Sequence, residues 1–298
     1  MDQQLLVFVT TVERRSFSRA AEDLHMTQPG VSQQIRALER TLNSRLLDRH
    51  QKGVRPTKAG EIVYYHAKQI LGLYGRMEQL VGDLLHEEFG SLAVGASYTF
   101  GEYVLPGLIA RFRDRYPRIH PALSVANSRD VVDRVSRGLL DVGIIEGQYG
   151  NRSVDVSVFA LDQVAVVVSS QHPLVRVDQI TAELLSHEPW VLREEGSGTR
   201  EVTDRLLTRY RIAPESRTEF ASTQMVKEAV EAGWGVSVLS RWAIRKELQL
   251  GSLVVLPFPE EPLTRPFALA LPASDFRTRA MTLFAEFVHE EGERIAHL

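Results

Sequence analysis

The 298-residue chain reads as an α+β multidomain protein in three successive parts: a small helical head, one long helix, and a body of alternating strands and helices. The spacing of apolar residues carries this reading. They recur at helical intervals through residues 1–42, fall into a heptad between 63 and 84, then gather in short runs from Leu92 onward. A content of 44% apolar and 24% charged residues suits a globular chain with real cores and excludes a disordered or low-complexity one. No apolar run approaches the ~18 residues of a membrane helix. Asp2 and the early charges Glu13, Arg14 and Arg15 do not fit a secretory leader. The absence of cysteine removes disulfides, thiolate metal sites and cysteine catalysis. The expected compartment is the cytoplasm.

In the head, Leu5, Leu6, Phe8, Val9 and Val12 share one helical face. Ser18 is read as the N-cap of a second helix that turns Ala20, Ala21 and Leu24 inward, the paired alanines allowing close approach. After a break at His25-Met26, Thr27 caps a third helix with Pro29 in its first turn. Val31, Ile35, Leu38 and Leu42 point inward; Gln28, Ser32, Gln33 and Arg36 point outward. Gln and Arg can bond two atoms of a base edge, and Ser and backbone N–H groups suit phosphates. The pattern is that of a helix-turn-helix, and equally of a small bundle with a solvated polar face. Leu46 to Arg49 then reads as a short strand, with Gln51 to Thr57 returning through a turn that carries Lys52 and Arg55. Such a hairpin is a wing, its cations near phosphates, or a solvated turn. Residues 1–60 hold ten Lys/Arg against six acids, a net of +4, and the remainder 25 against 32, a net of −7. A basic head on an acidic body fits a nucleic-acid-binding module joined to a non-binding one.

The run Ser16-Phe17-Ser18-Arg19-Ala20-Ala21-Glu22-Asp23-Leu24-His25-Met26-Thr27-Gln28-Pro29-Gly30-Val31-Ser32-Gln33-Gln34-Ile35-Arg36-Ala37-Leu38-Glu39 resembles the DNA-binding segment of LysR-type transcriptional regulators. Leu46-Leu47-Asp48-Arg49 and Pro56-Thr57-Lys58-Ala59-Gly60-Glu61 match that family's wing and the start of its linker. The resemblance implies an N-terminal winged helix-turn-helix (1–57), a linker and dimerisation helix (58–90), and a C-terminal two-lobed α/β effector domain (91–298) of the periplasmic-binding-protein type. It implies promoter DNA as one partner, bound through Ser18, Thr27, Gln28, Pro29, Ser32, Gln33, Arg36, Lys52 and Arg55. A small-molecule effector and the chain itself, as dimer or tetramer, are further partners, with RNA polymerase a candidate contact and no membrane involved.

The linker supports the same oligomer by its own pattern. Val63, Ala67, Ile70, Tyr74, Met77, Val81 and Leu84 alternate in steps of four and three, an a/d seam over three heptads. Gly72, Gly75 and Gly82 each weaken this helix by about 1 kcal/mol relative to alanine, so partner packing has to compensate. Gly90-Ser91 ends the pattern.

In the body, strands are read at 92–96, 123–126, 141–145, 164–168, 190–192, 236–239, 253–256 and 267–271. Helices are read at 104–116, 130–137, 200–211, 225–232 and 279–290. The alternation predicts a parallel or mixed sheet with helices on its faces. The resemblance divides it into lobe one, about 91–161 with 266–298, and lobe two, about 162–265. Ligands in such folds sit beyond the carboxyl ends of strands, near helix N-termini. Ser97 and Thr99, Ser128, Glu146, Ser197, Thr199, Arg200 and Thr223 all follow strands or open helices. Hydroxyls and amides there suit an anion, and they also serve as ordinary helix caps. The resemblance places the effector between the lobes at these positions. Glu146 stands out, because an acid in an anion cleft repels unless it pairs with an arginine or a ligand cation or accepts a ligand hydroxyl. The turn Glu195-Gly196-Ser197-Gly198-Thr199-Arg200 is similar to that of family members controlling carbon fixation or sulfur assimilation.

Catalytic signatures are missing. Gly95-Ala96-Ser97 opens like a nucleophile elbow, but Thr99 stands where glycine is needed. There is no His-Glu-x-x-His zinc pattern, no phosphate-binding Gly-x-x-x-x-Gly-Lys loop, and no third glycine after Gly196-Ser197-Gly198. No enzyme activity, cofactor or metal is expected. A small-molecule enzyme with an added head would need a complete catalytic constellation, and a solute-binding protein would need an export signal.

Overall fold

The computed structural model describes residues 2–50, 53–83, 90–147, 149–150, 152–259, 261–274 and 276–296. They fall into two units, Met1–Gly82 and Asp83–Leu298.

The first unit packs α1 (Asp2–Arg14), α2 (Phe17–Asp23) and α3 (Gln28–Thr41) around one core. Phe8, Ala20, Val31 and Leu38 are at most 1% exposed. Ser16, not Ser18, caps α2, accepting the amide of Arg19 at 3.3 Å. Ser18 lies inside the helix and is exposed. Thr27 caps α3 by accepting the amide of Gly30 at 3.2 Å, and Pro29 sits in the first turn, where a missing N–H costs nothing. The hairpin follows, β1 (Leu47–His50) pairing antiparallel with β2 (Gly53–Pro56), so that Asp48 faces Arg55.

The long helix α4 (Lys58–Asp83) is seated on the hairpin by Thr57. The Thr57 amide donates to the Leu46 carbonyl at 2.9 Å. Its hydroxyl donates to the Arg45 carbonyl at 2.8 Å and accepts the Gly60 amide at 3.0 Å. Gly60 is required there, since a Cβ would lie 2.0 Å from the Leu46 carbonyl oxygen. Val63, Tyr64, Ala67 and Leu71 pack on the head's core, so the first turns of α4 belong to that core rather than to the seam. Further along, Ile70, Tyr74, Met77 and Val81 are 40–61% exposed. Leu84 lies outside the described residues.

The second unit is built on a seven-stranded mixed sheet, in the order β10 (Leu253–Val255), β6 (Val154–Ser169), β11 (Leu263–Pro272), β5 (Val142–Glu146), β3 (Gly90–Ser97) and β4 (Ile119–Ala126), with β9 (Ser237–Ser240) also on β6. A separate parallel pair joins β7 (Pro189–Arg193) to β8 (Ser216–Phe220). The long strands β6 and β11 run antiparallel for ten residue pairs, with Asp162 facing Arg265. One end of this ribbon enters a core with α5 (Tyr98–Tyr103), α6 (Leu105–Arg115), β3, β5 and α12 (Arg279–Glu290). The other end enters a core with β7, β9 and α9 (Gly198–Arg209). The outer faces are covered by α7 (Ser128–Ser136) on the first part, and by α10 (Thr223–Glu231) and α11 (Arg241–Leu250) on the second.

Several elements differ from expectation. The helix anticipated at 104–116 is α6, with Pro106 in its first turn; a short helix not anticipated, α5, precedes it and is separated from it at Val104. The near half of β6 had no clean signal because Asp155 to Ser157 are exposed and break the apolar run. In α11 only Ala243 and Ile244 are fully buried, too few to mark a face. Leu42, expected inward, ends α3 and is 42% exposed.

Candidate functional site

Two sites are built, one in each unit. On the first, Gln28, Gln33 and Arg36 stand exposed on α3. Ser32 does not: it is 7% exposed, and its hydroxyl accepts from Gln28 Nε2 at 3.2 Å. Its role is to fix Gln28, while its carbonyl accepts from Arg36 Nε at 3.2 Å. Thr27 and Pro29 are exposed at the start of α3, and Ser18 is exposed on α2. Arg36, Arg40 and Arg45 line an open groove with Gln33, Glu39, Asn43 and Ser44. The acid in this groove is already used, since Glu39 Oε1 accepts the Leu46 amide at 2.8 Å. The face therefore offers planar hydrogen-bonding side chains to base edges and exposed cations to phosphates, Arg45 also lying 3.7 Å from Asp48 Oδ1. Arg55 on β2 is exposed; Lys52 lies outside the described residues.

On the second unit, Ser97, Thr99, Ser128, Glu146, Ser197, Thr199 and Thr223 are each at most 2% exposed. They gather around the middle of the β6–β11 ribbon. The Thr99 and Thr223 hydroxyls, from opposite cores, are 3.5 Å apart. Ser128 is a clasp for the end of β5: its hydroxyl donates to the Glu146 carbonyl at 3.0 Å and accepts the Glu146 amide at 3.1 Å. Ser197 caps α9, accepting the Thr199 amide at 3.2 Å. Gly198 allows that helix to touch β5, since a Cβ would lie 2.3 Å from the Glu146 carbonyl oxygen.

The charge at this site comes from two arginines that the sequence reading did not single out. Arg265, 1% exposed, bonds Glu146 Oε2 through Nη1 at 2.5 Å and Asp162 Oδ2 through Nε at 2.7 Å. Its Nη1 also donates to the Thr199 hydroxyl at 2.7 Å. Glu146 Oε1 accepts the Phe100 amide at 3.1 Å, and Asp162 Oδ1 accepts the Ser240 hydroxyl at 2.7 Å. Arg265 thus resolves the acid in the cleft. Arg193, 2% exposed, grips both oxygens of Glu194 at 2.7 and 2.9 Å and donates to the Thr223 hydroxyl at 2.7 Å. Its guanidinium lies 4.7 Å from the centre of the Tyr98 ring. At this site two buried donors, Ser97 Oγ and Arg265 Nη2, have no partner among the described residues.

Arg200, expected as an anion clamp, is committed elsewhere. Its Nε lies 3.0–3.1 Å from both Asp204 oxygens, and Nη1 donates to Glu219 Oε2 at 2.7 Å. Burial pushes the Asp162 carboxyl up to about 6, even with Arg265 and Ser240 opposing the shift. Partial burial also raises Glu102 on α5, with Arg193 and Lys227 opposing and Glu146 adding to the shift. Among the described residues, no group of three His, Cys, Asp or Glu is placed to hold a metal ion.

Comparison with known proteins gives two family matches. Residues 3–61 match the bacterial regulatory helix-turn-helix protein model of the lysR family, and residues 86–293 match the LysR substrate binding domain. The chain is 38% identical to the HTH-type transcriptional regulator CysL of Bacillus subtilis, over 82% of each chain. It is 30% identical to the HTH-type transcriptional activator CmpR of a Synechocystis species, over 99% of this chain and 97% of that one. Among solved structures, the regulatory domain of Synechocystis CcmR in complex with 2-PG is 26% identical, with a TM-score of 0.64, covering 70% of this chain and 99% of that one.

Proposed function

Because this chain belongs to the LysR family of transcriptional regulators, with a DNA-binding head and an effector-binding body, we propose that it reads an inverted-repeat promoter site as a dimer or higher oligomer and answers to a small anionic metabolite. The metabolite binds in the second unit, between its two cores, at the carboxyl ends of β3 and β5 and the starts of α9 and α10. The observation that carries the effector reading is the pair of fully buried arginines there, Arg193 and Arg265, the latter with an unfilled N–H. A relative whose regulatory domain holds 2-PG supports a small molecule in this domain. The site of action is the cytoplasm, and no described helix is long and apolar enough to cross a membrane.

For DNA, the carrying observation is the exposed set Gln28, Gln33 and Arg36 on one helix face. Gln28→Ala or Arg36→Ala should lose about 1–3 kcal/mol of binding to the cognate site, with little loss on unrelated duplex. Arg55→Ala should weaken both alike and flatten the salt dependence. Gel shifts with cognate and scrambled promoter fragments separate the two outcomes. Equal losses on both DNAs for the α3 variants would remove the base-reading role.

The exposed Ile70, Tyr74, Met77 and Val81 are the seam for a second copy. Glutamate at Ile70 and Met77 would bring like charges together across it. Light scattering should show a dimer or larger for the unmodified chain and a smaller species for the double variant. A monomer in both cases would rule out the seam.

A further inference from the structure

The buried charges at the β6–β11 ribbon do not balance. Arg265 faces two carboxylates, Glu146 and Asp162, and Arg193 is engaged by Glu194. Two guanidiniums therefore meet three carboxylates, an excess of one negative charge. A further anion in this low-dielectric setting would double the excess, and burying uncompensated charge costs several kcal/mol. Yet donors remain unfilled at Arg265 Nη2 and Ser97 Oγ, and an anion satisfies both.

One added proton cancels one charge of the incoming anion, so that a monoanion leaves the excess where it began, and the hydrogen bonds decide where that proton can go. Glu146 cannot take it cheaply. Its two oxygens hold the Phe100 amide and the Arg265 guanidinium, which are donors only and would face an O–H. Glu194 is held on both oxygens by Arg193. Asp162 Oδ2 is held by Arg265 Nε, but Oδ1 faces the hydroxyl of Ser240. Ser240 Oγ already accepts the Trp242 amide at 3.2 Å but keeps a second lone pair, so it can also accept from a protonated Oδ1, and what is displaced is its own O–H rather than an N–H donor.

We propose that an anionic effector enters this cleft together with one proton, which comes to rest on Asp162 Oδ1. The proposal rests on the anion-binding reading of the cleft given above. The proton comes from solvent, one O–H bond forms, and the Ser240 hydroxyl reverses from donating to accepting. The charged groups facing Asp162 are Arg265 from β11 and Glu146 from β5, with Ser240 from β9 as its polar neighbour; Arg241, next to Ser240, is exposed. The raised proton affinity of Asp162 is consistent with this, and Glu102 on α5 is the competing acceptor near the cleft.

The test uses sulfate, which remains a dianion near neutral pH and so brings no proton of its own; the proton taken up offsets one of its two charges. Calorimetric titration of the full chain in buffers of unlike ionisation enthalpy reads the protons taken up per sulfate bound. The expected result is close to one proton at pH 7.5, and an affinity that falls about tenfold per pH unit above pH 7. Asp162→Asn should bind sulfate with no uptake and little pH dependence, whereas Glu102→Gln should behave as the unmodified chain. Sulfate bound by the unmodified chain without a proton overturns the coupling and leaves the anion cleft standing. Uptake that vanishes in Glu102→Gln overturns the assignment to Asp162, whether or not the Asp162 variant folds. Failure of sulfate to bind removes the anion cleft and the coupling together.

Discussion

Replacing Arg265 by methionine should cost the effector domain about 3–5 kcal/mol at pH 8, enough to unfold a marginal protein. The side chain is fully buried on the ribbon that joins the two cores, and it serves Glu146, Asp162 and Thr199 at once. Methionine fills much of the volume but leaves two buried carboxylates with no cation. Removing one partner of a buried ion cluster costs far more than replacing the whole cluster by neutral groups. The triple variant Arg265→Met, Glu146→Gln, Asp162→Asn should therefore recover much of the loss. Urea midpoints of the single and triple variants check this. A single variant within 1 kcal/mol of the unmodified protein at pH 8 would show that the cluster is solvated.

The second large effect is in the pH course of stability. Asp162 has a folded-state value of about 6, against an ordinary 3.8. A carboxyl with a raised folded value binds its proton more tightly in the folded chain. Its contribution is whole below the unfolded value and is withdrawn as pH rises through about 6. A shift of roughly two units corresponds to about 3 kcal/mol. Asparagine at this position has no proton to lose. The stability of Asp162→Asn relative to the unmodified chain should thus rise by about 2 kcal/mol between pH 4 and pH 8. Taking the difference cancels the other carboxylates, many of which are paired with arginine and shift the opposite way. A flat difference would mean that Asp162 ionises in the folded chain as it does in the unfolded one.

The head was legible because its determinants are local. Thr27, Pro29 and the spacing of Val31, Ile35 and Leu38 fix α3 within about fourteen residues. The failures there are of angle: Ser32 falls on the edge of the buried stripe, and Leu42 lies just past the helix end. The candidate cleft was legible in its hydroxyls, which advertise themselves at helix starts, and in Glu146, whose need of a cationic partner showed while the partner did not. Arg265 and Asp162 are 103 residues apart and meet only through the register of β6 on β11, which no local pattern encodes. Arg200 misled by adjacency. Consecutive helix residues point about 100° apart, so the buried face that holds Thr199 turns Arg200 towards Asp204 and Glu219.

The joint at Thr57 makes the long helix a lever. Two hydrogen bonds clamp Thr57 to Arg45 and Leu46, a third ties the Gly60 amide to the Thr57 hydroxyl, and Gly60 removes any cushion between the helix and Leu46. The 26 residues of α4 span about 39 Å at 1.5 Å per residue, and the stretch as far as Leu71 is also packed on the head's core. The head and the near half of the helix therefore turn as one body, and a rotation of about 5° carries the far tip through roughly 3 Å, the spacing of about one base pair. A displacement of that tip thus reaches the wing as rotation.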